Sequence, residues 1–380
     1  MRKSRTVIWV SLLVALALVV AACSDGGGGA TSTTATTLAG EATTAPPGEL
    51  QKVTFALTNQ RAIQYYPYYL ADYLGYYEAE GLDVETVIVS GSGATVQQLV
   101  AGNADIGHPS APATAQAVSQ GQCLKQPYTY AHVNVYGLAT PADSGIETLQ
   151  DLQDKVVGVS EPGGGEIIMV RAVLAGVGLA ENVDYTIAAV GEGGPLTVQA
   201  LQNGDAQAYS SSIFDVASVE ANGMPLRQLL PDEFRYFPSN SIVVTCDYYE
   251  ANKDIVTRFA RAVAKATVFG EANPDAAWEI TKTYEPELFE DEALARAIWD
   301  VTVDMITPPP ALADAPLGSH YYEGWNAYLA FATQGTEEEG ALPPDSVDVN
   351  EVLTDELIGE INNFDRAAVE AEAGAFPGVG

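Results

Sequence analysis

The segment Thr95-Val96-Gln97-Gln98-Leu99-Val100-Ala101-Gly102-Asn103-Ala104-Asp105 returns later in the chain as Thr197-Val198-Gln199-Ala200-Leu201-Gln202-Asn203-Gly204-Asp205-Ala206-Gln207. A chain that writes one unit twice is constrained to build it twice. Each copy follows an apolar run, Val84 to Val89 or Tyr185 to Val190, and a glycine-bearing turn. Each then leads into a short segment ending in polar residues, His108-Pro109-Ser110 or Ser210-Ser211-Ser212. The pattern predicts strand, loop, helix, strand, loop in both places. In open α/β sheets ligands sit outside the carboxyl ends of the strands, where such loops emerge. Two facing copies would set four loops around one cleft, an arrangement suited to a small molecule.

The amino terminus says where that cleft works. Arg2, Lys3 and Arg5 precede the apolar run Val7 to Ala22, which ends in the small-residue cleavage pattern Val20-Ala21-Ala22-Cys23, the layout of an export signal. The run falls short of the ~20 residues that span a bilayer. A cysteine directly after Ala-Ala matches the bacterial lipobox, and that match implies diacylation of Cys23 as the mature first residue. More than one acyl chain holds a protein stably at a membrane surface. Residues 1–22 are therefore read as a lipoprotein signal peptide, and the chain is expected at the extracytoplasmic face of the cell membrane. Residues 23–50 are read as lipidated cysteine and linker. Ser24 to Gly48 is almost wholly Gly, Ser, Thr, Ala and Pro, with Asp25 and Glu41 as its charges, a composition that cannot bury a core. From Gln51 onward apolar runs and Gly/Pro breaks alternate nearly to the end, enough chain for two lobes.

The chain carries 17 basic and 50 acidic residues, a formal charge of −33. Arg2, Lys3 and Arg5 leave with the signal, so the processed protein is more acidic still. Nucleic acid is excluded as a partner, because its binding needs a basic stripe. The acidity itself reads as a solvated surface and names no ligand. Cys123 and Cys246 are the remaining cysteines. In an exported protein they can pair, but the sequence leaves open whether they form a disulfide or two buried thiols. His108, His132 and His320 lie far apart, and no cysteine or histidine pair has zinc-ligand spacing, so no metal site is expected.

Val53 to Leu57 reads as a strand, followed by the polar turn Thr58-Asn59-Gln60. Tyr66, Tyr69, Leu70 and Tyr73 fall at helical spacing, which predicts a helix packed on the sheet. Tyr65 and Tyr66, beside the turn that opens it, are candidate stacking surfaces for a ligand, with plain packing as the alternative. After the strand around Val156 to Val159, Pro162-Gly163-Gly164-Gly165 opens a helix whose apolar face is Ile167, Val170, Leu174 and Val177. Free amides at such a helix start suit an anion or a carbonyl oxygen. Glu161 and Glu166 flank them and oppose a doubly charged anion, which favours a neutral or partly cationic ligand. The alternative is that Glu166 only complements the helix dipole. Ile242 to Thr245 reads as a strand, Asp254 to Phe269 as an amphipathic helix, and residues 365–380 as a loose acidic tail.

Gly75-Tyr76-Tyr77-Glu78-Ala79-Glu80-Gly81-Leu82-Asp83-Val84, the paired repeats, and Leu149-Gln150-Asp151-Leu152-Gln153-Asp154-Lys155-Val156-Val157-Gly158-Val159 occur in that order. Over about Val53 to Ile361 the chain thereby resembles the ABC-transporter substrate-binding proteins for nitrate, taurine, alkanesulfonates and thiamine-pyrimidine precursors. The resemblance implies an α/β fold, the two-lobed type II periplasmic-binding kind with two crossing hinge strands. Residues 51–136 would begin the first lobe, 137–239 would form the second, and 240–364 would return to the first with the C-terminal helices. The lining loops would supply Asn59, Gln60, Ser92, Gly93, His108, Ser110, Gly163, Gly164, Gly165, Glu166, Glu192, Ser211 and Asp215. Implied partners are a small-molecule ligand, an ABC permease with its ATPase, and the membrane through the lipid on Cys23. The chain is expected to be monomeric, without a cofactor and not an enzyme.

Within those loops Arg61 is the only basic residue, while Glu161, Glu166 and Glu192 add negative charge. Carboxylates accept hydrogen bonds from ring nitrogens and amines, and tyrosines suit a flat heterocycle. A pyrimidine-like or other aromatic nitrogenous compound is therefore expected ahead of taurine, an alkanesulfonate or nitrate. The same fold includes eukaryotic thiamine-pyrimidine synthases, which consume their own histidine and a bound pyridoxal phosphate. That chemistry needs a Schiff-base lysine and a cysteine-rich cluster. Lys52 and Lys125 are the only first-lobe lysines before the hinge, and no cysteine cluster exists. His108 remains a candidate ligand contact. Ser210-Ser211-Ser212 lacks the Gly-x-Ser-x-Gly elbow of a hydrolase nucleophile.

Overall fold

A computed structural model describes residues 49–58, 62–162, 165–334 and 341–378. Among these residues ten strands form two five-stranded sheets. The first contains β1 (Gln51–Thr58), β2 (Leu82–Val89), β3 (Ile106–Gly107), β4 (Leu124–Tyr128) and, from much later in the chain, β10 (Ile242–Thr245). The second contains β5 (Tyr136–Pro141), β6 (Lys155–Val159), β7 (Tyr185–Ala189), β8 (Ala208–Ser212) and β9 (Leu226–Gln228). Their orders are β2-β1-β3-β10-β4 and β7-β6-β8-β5-β9. These are one topology used twice. In each sheet three strands run parallel, joined by helical crossovers as parallel strands require, and one antiparallel strand, β10 or β5, is inserted beside them.

The sequence repeat is the reason. Its two copies are the helices Ser92–Val100 and Pro195–Asn203 with the turns into β3 and β8. Thr95 and Thr197 are fully buried. At the end of each copy, Asp105 N–H donates to Thr54 O and Gln207 N–H to Val156 O, both at 2.9 Å. Their side-chain oxygens accept in return from Thr54 N–H at 2.8 Å and Val156 N–H at 2.9 Å. Aspartate and glutamine thus do the same job of tying the repeat to the neighbouring strand.

The chain passes between the sheets twice, along 129–135 and 229–241. Ala131 N–H donates to Asn240 O (3.1 Å) and Asn134 N–H to Arg235 O (2.8 Å), so the passages run side by side in opposite senses. These are the two hinge crossings expected, although Pro231 and Pro238 have no N–H to give a ladder and a 3-10 turn, Asp232–Phe234, interrupts the second passage. Cys123, just before β4, is disulfide-bonded to Cys246, just after β10, with Cα atoms 5.4 Å apart, which settles the pairing that the sequence left open.

The tyrosine-rich segment forms the helix Tyr66–Tyr73 and packs on the long helix Lys253–Ala272. Tyr66, Tyr68, Tyr69 and Leu70 are buried, whereas Tyr73 is 41% exposed because the helix stops at once and Gly75 turns the chain with φ 70°. The residues read as a loose tail are not loose. Arg366–Gly374 is a helix against Lys253–Ala272. Val369 and Ala373, spaced one turn apart, are buried, and Asn273 Nδ2 donates to Ala373 O at 2.7 Å.

Candidate functional site

The carboxyl ends of β1, β2 and β3 and those of β6, β7 and β8 border one cleft of about 2010 Å3. From the first sheet it is lined by Ser92, Gly93, Ser110 and Tyr65. From the second come Glu161, Gly165, Glu166, Glu192, Ser211 and Asp215. These ten were all singled out in the sequence. Asn59, Gln60, Gly163, Gly164 and Cys23 lie outside the described residues.

Several lining groups are fixed by local hydrogen bonds. Ser92 Oγ accepts from Ser110 N–H at 3.0 Å, tying two first-sheet loops together. Glu166 is 3% exposed, and its Oε1 accepts from Ser160 N–H (2.9 Å) and from Ser160 Oγ. It turns back on its own loop as well as standing at the start of the helix Glu166–Gly176. Ser211 Oγ donates to Asp215 Oδ2, and Asp215 N–H donates to Ser212 Oγ at 3.1 Å, the cap of the helix Ile213–Ala221. The Tyr65 hydroxyl donates to Thr58 O at 2.7 Å, and burial pushes its pKa up to about 12.

Two candidates are corrected. Tyr66 is 2% exposed, with its ring 4.8 Å from that of Trp299, and belongs to the core rather than the cleft. His108 is fully buried. Its backbone oxygen is held by Thr58 Oγ1 (2.7 Å) and Asn240 Nδ2 (3.3 Å). The imidazole lies edge-to-face among Tyr65, Tyr68 and Tyr130, at ring separations of 5.3, 5.4 and 4.8 Å. Neither ring nitrogen has a hydrogen-bond partner. Burial lowers the pKa to about 3, so the ring is neutral and does not reach the cleft.

Sequence reasoning missed the cleft's floor and much of its wall. Asn134, Tyr136 and Asn240 come from the two passages or their ends, and Phe214, Phe237, Tyr328 and Phe331 add apolar faces. Phe237 packs edge-to-face on Tyr328 at 5.7 Å. The Tyr136 pKa rises to about 12 through burial and the nearby Glu166 charge. The dense Phe234 to Phe237 run was the one visible signal.

The lining is acidic. Among the described residues it carries eight carboxylates and a single cation, Arg171, whose Nε is 2.6 Å from Glu181 Oε2. An anion entering would meet uncompensated negative charge.

Backbone approach is close at Gly193, where φ is 71° and a Cβ would lie 2.3 Å from Asp215 O. Gly193→Ala should cost about 1–3 kcal/mol of stability and displace the Asp215 turn. Thermal unfolding checks this, and a variant as stable as wild type would remove the constraint.

A family model described as NMT1/THI5 like matches residues 62–277. The riboflavin-binding protein RibY of Chloroflexus aurantiacus is 24% identical over 251 residues, covering 66% of this chain and 70% of that protein. A Bordetella bronchiseptica protein of known structure aligns with a TM-score of 0.62 at 22% identity, over 83% of this chain and 98% of that one. The periplasmic aliphatic sulphonate binding protein SsuA of Escherichia coli aligns with a TM-score of 0.58 at 15% identity, over 81% of this chain and 99% of that one. The fold is the two-lobed type II periplasmic-binding fold.

Proposed function

The chain belongs to the NMT1/THI5-like family, and from that premise we propose that it is the solute-binding component of an ABC importer. It works on the extracytoplasmic face, held by lipid on Cys23, and delivers its ligand to a permease and its ATPase. Its lobes are residues 51–136 with 240–364, and residues 137–239. Among the described residues no helix is long and apolar enough to cross a membrane. The ligand is a flat nitrogenous heterocycle, neutral or cationic. One observation carries this choice: among the described residues, eight carboxylates and one already paired guanidinium line an aromatic-walled cleft. RibY, by its name a riboflavin binder, supports a neutral heterocycle. Sulphonate binding, for which SsuA is named, would require a charge balance opposite to the one lining this cleft. Binding shifts the lobes from open to closed, and no bond is broken.

Riboflavin, uracil, cytosine, taurine, ethanesulfonate and nitrate, each offered to the purified protein in a thermal-shift assay, separate the readings. A ligand at a hundred times its Kd adds about 2.7 kcal/mol. Stabilisation by a heterocycle and not by the anions is expected. Stabilisation by a sulfonate or nitrate alone would overturn the ligand class and leave the binding role standing.

A further inference from the structure

Resting on that reading, we propose that Asn134 is a ligand-contacting hinge residue. Its carboxamide N–H donates to a carbonyl or ring-nitrogen acceptor of the heterocycle. Asn134 is 7% exposed, sits on the first passage between the sheets and lines the cleft. Its Oδ1 accepts from Tyr136 N–H at 3.1 Å. A backbone N–H can only donate, so the amide orientation is fixed, and Nδ2 faces away from it. What Nδ2 meets is Met169 Sδ, at 3.6 Å. A thioether is a weak acceptor, so this buried donor is parked on a poor partner beside an open cleft. Exchanging sulfur for a ligand carbonyl or ring nitrogen gains hydrogen-bond strength at little cost.

The position gives the contact a second effect. Asn134 N–H donates to Arg235 O at 2.8 Å, one of the bonds that hold the two passages together. Met169 belongs to the helix Glu166–Gly176 of the second sheet. One residue therefore joins the ligand space, the opposite passage and a second-sheet helix. Asn240, on the other passage, gives its amide to His108 O. Asn134 is also a neutral donor, so it selects an acceptor without adding the positive charge that an anion site would need.

The test compares wild type with Asn134→Ala, Asn134→Asp and Met169→Leu, titrated with riboflavin by fluorescence quenching and with uracil and cytosine by calorimetry. Asn134→Ala should weaken binding about tenfold. Asn134→Asp should weaken it further, since a carboxylate oxygen then faces the ligand's acceptor. Met169→Leu keeps a similar volume but frees the donor, and should bind as tightly as wild type or a few-fold tighter. A merely structural role would make Asn134→Ala and Met169→Leu weaken binding in the same direction and lower the melting temperature of the unliganded protein together. That result, or binding by Asn134→Ala within twofold of wild type, overturns the proposal and leaves the heterocycle reading intact. Wild-type protein that binds none of the three probes overturns both.

Discussion

Reducing the bond between Cys123 and Cys246 should lower the unfolding free energy by about 5 kcal/mol, as the chain-entropy argument gives for a loop of this length. The cysteines are 123 residues apart, and everything between them includes the whole second sheet. The crosslink pins the points where the chain leaves the first sheet and where it returns. It also secures β4, an edge strand that pairs with β10, where Thr245 pairs with Leu124. Typical stabilities are about 5–15 kcal/mol, so the loss is a large share of the total. Guanidinium unfolding of the oxidised protein, the reduced protein and the Cys123→Ser/Cys246→Ser double variant measures it. Unfolding free energies that agree to within about 1 kcal/mol would mean that the unfolded chain is already held compact without the bond.

Acid should be the second large destabiliser, through the buried histidines, of which His320 too is held below its ordinary pKa by burial. Burial lowers the pKa of His108 to about 3 and of His132 to about 4, from the ordinary 6.5. Above pH 6.5 both are neutral in the folded and unfolded chain, and no stability depends on them. Below it the unfolded chain takes up a proton at each while the folded chain refuses. Stability then falls with pH by about 1.4 kcal/mol per unit for each histidine. Both contribute between pH 6.5 and about 4, and His108 alone continues to about 3. Urea unfolding at pH 7.5, 6 and 5 should show this slope. His108→Phe, an aromatic ring for the same aromatic surroundings, should remove only the share that His108 contributes, about 1.4 kcal/mol per pH unit. An unchanged slope in that variant would show that His108 titrates normally.

The parts of this molecule that were legible in the sequence are those written locally. Thr95 and Thr197, Asp105 and Gln207 occupy equivalent places because each copy must meet its own neighbouring strand, so the repeat revealed both sheets. The glycine and serine loops followed, since strand ends fix where they emerge. His108 was misjudged for the opposite reason. Tyr65 and Tyr68 come from the tyrosine-rich segment and Tyr130 from the first passage, and no spacing rule brings those two places to His108. Asn134 and Phe237 were missed because the passages between sheets carry no periodicity, and their exposure to the cleft depends on how the sheets face. The C-terminal helix was hidden by composition: Val369 and Ala373 make so narrow an apolar stripe that the surrounding acids dominate.

The insertion of β10 between β3 and β4 sets an order of assembly. The second sheet draws on 136–228 without interruption and can finish as soon as those residues are present. The first cannot: until residue 245 arrives, β3 and β4 each expose an edge with no neighbour. Unpaired edges invite pairing with other chains. A chain crossing a membrane amino terminus first would spend that interval with its first sheet unsealed. Exported in that way, such a chain would depend on a holding chaperone for its yield far more than its final stability suggests.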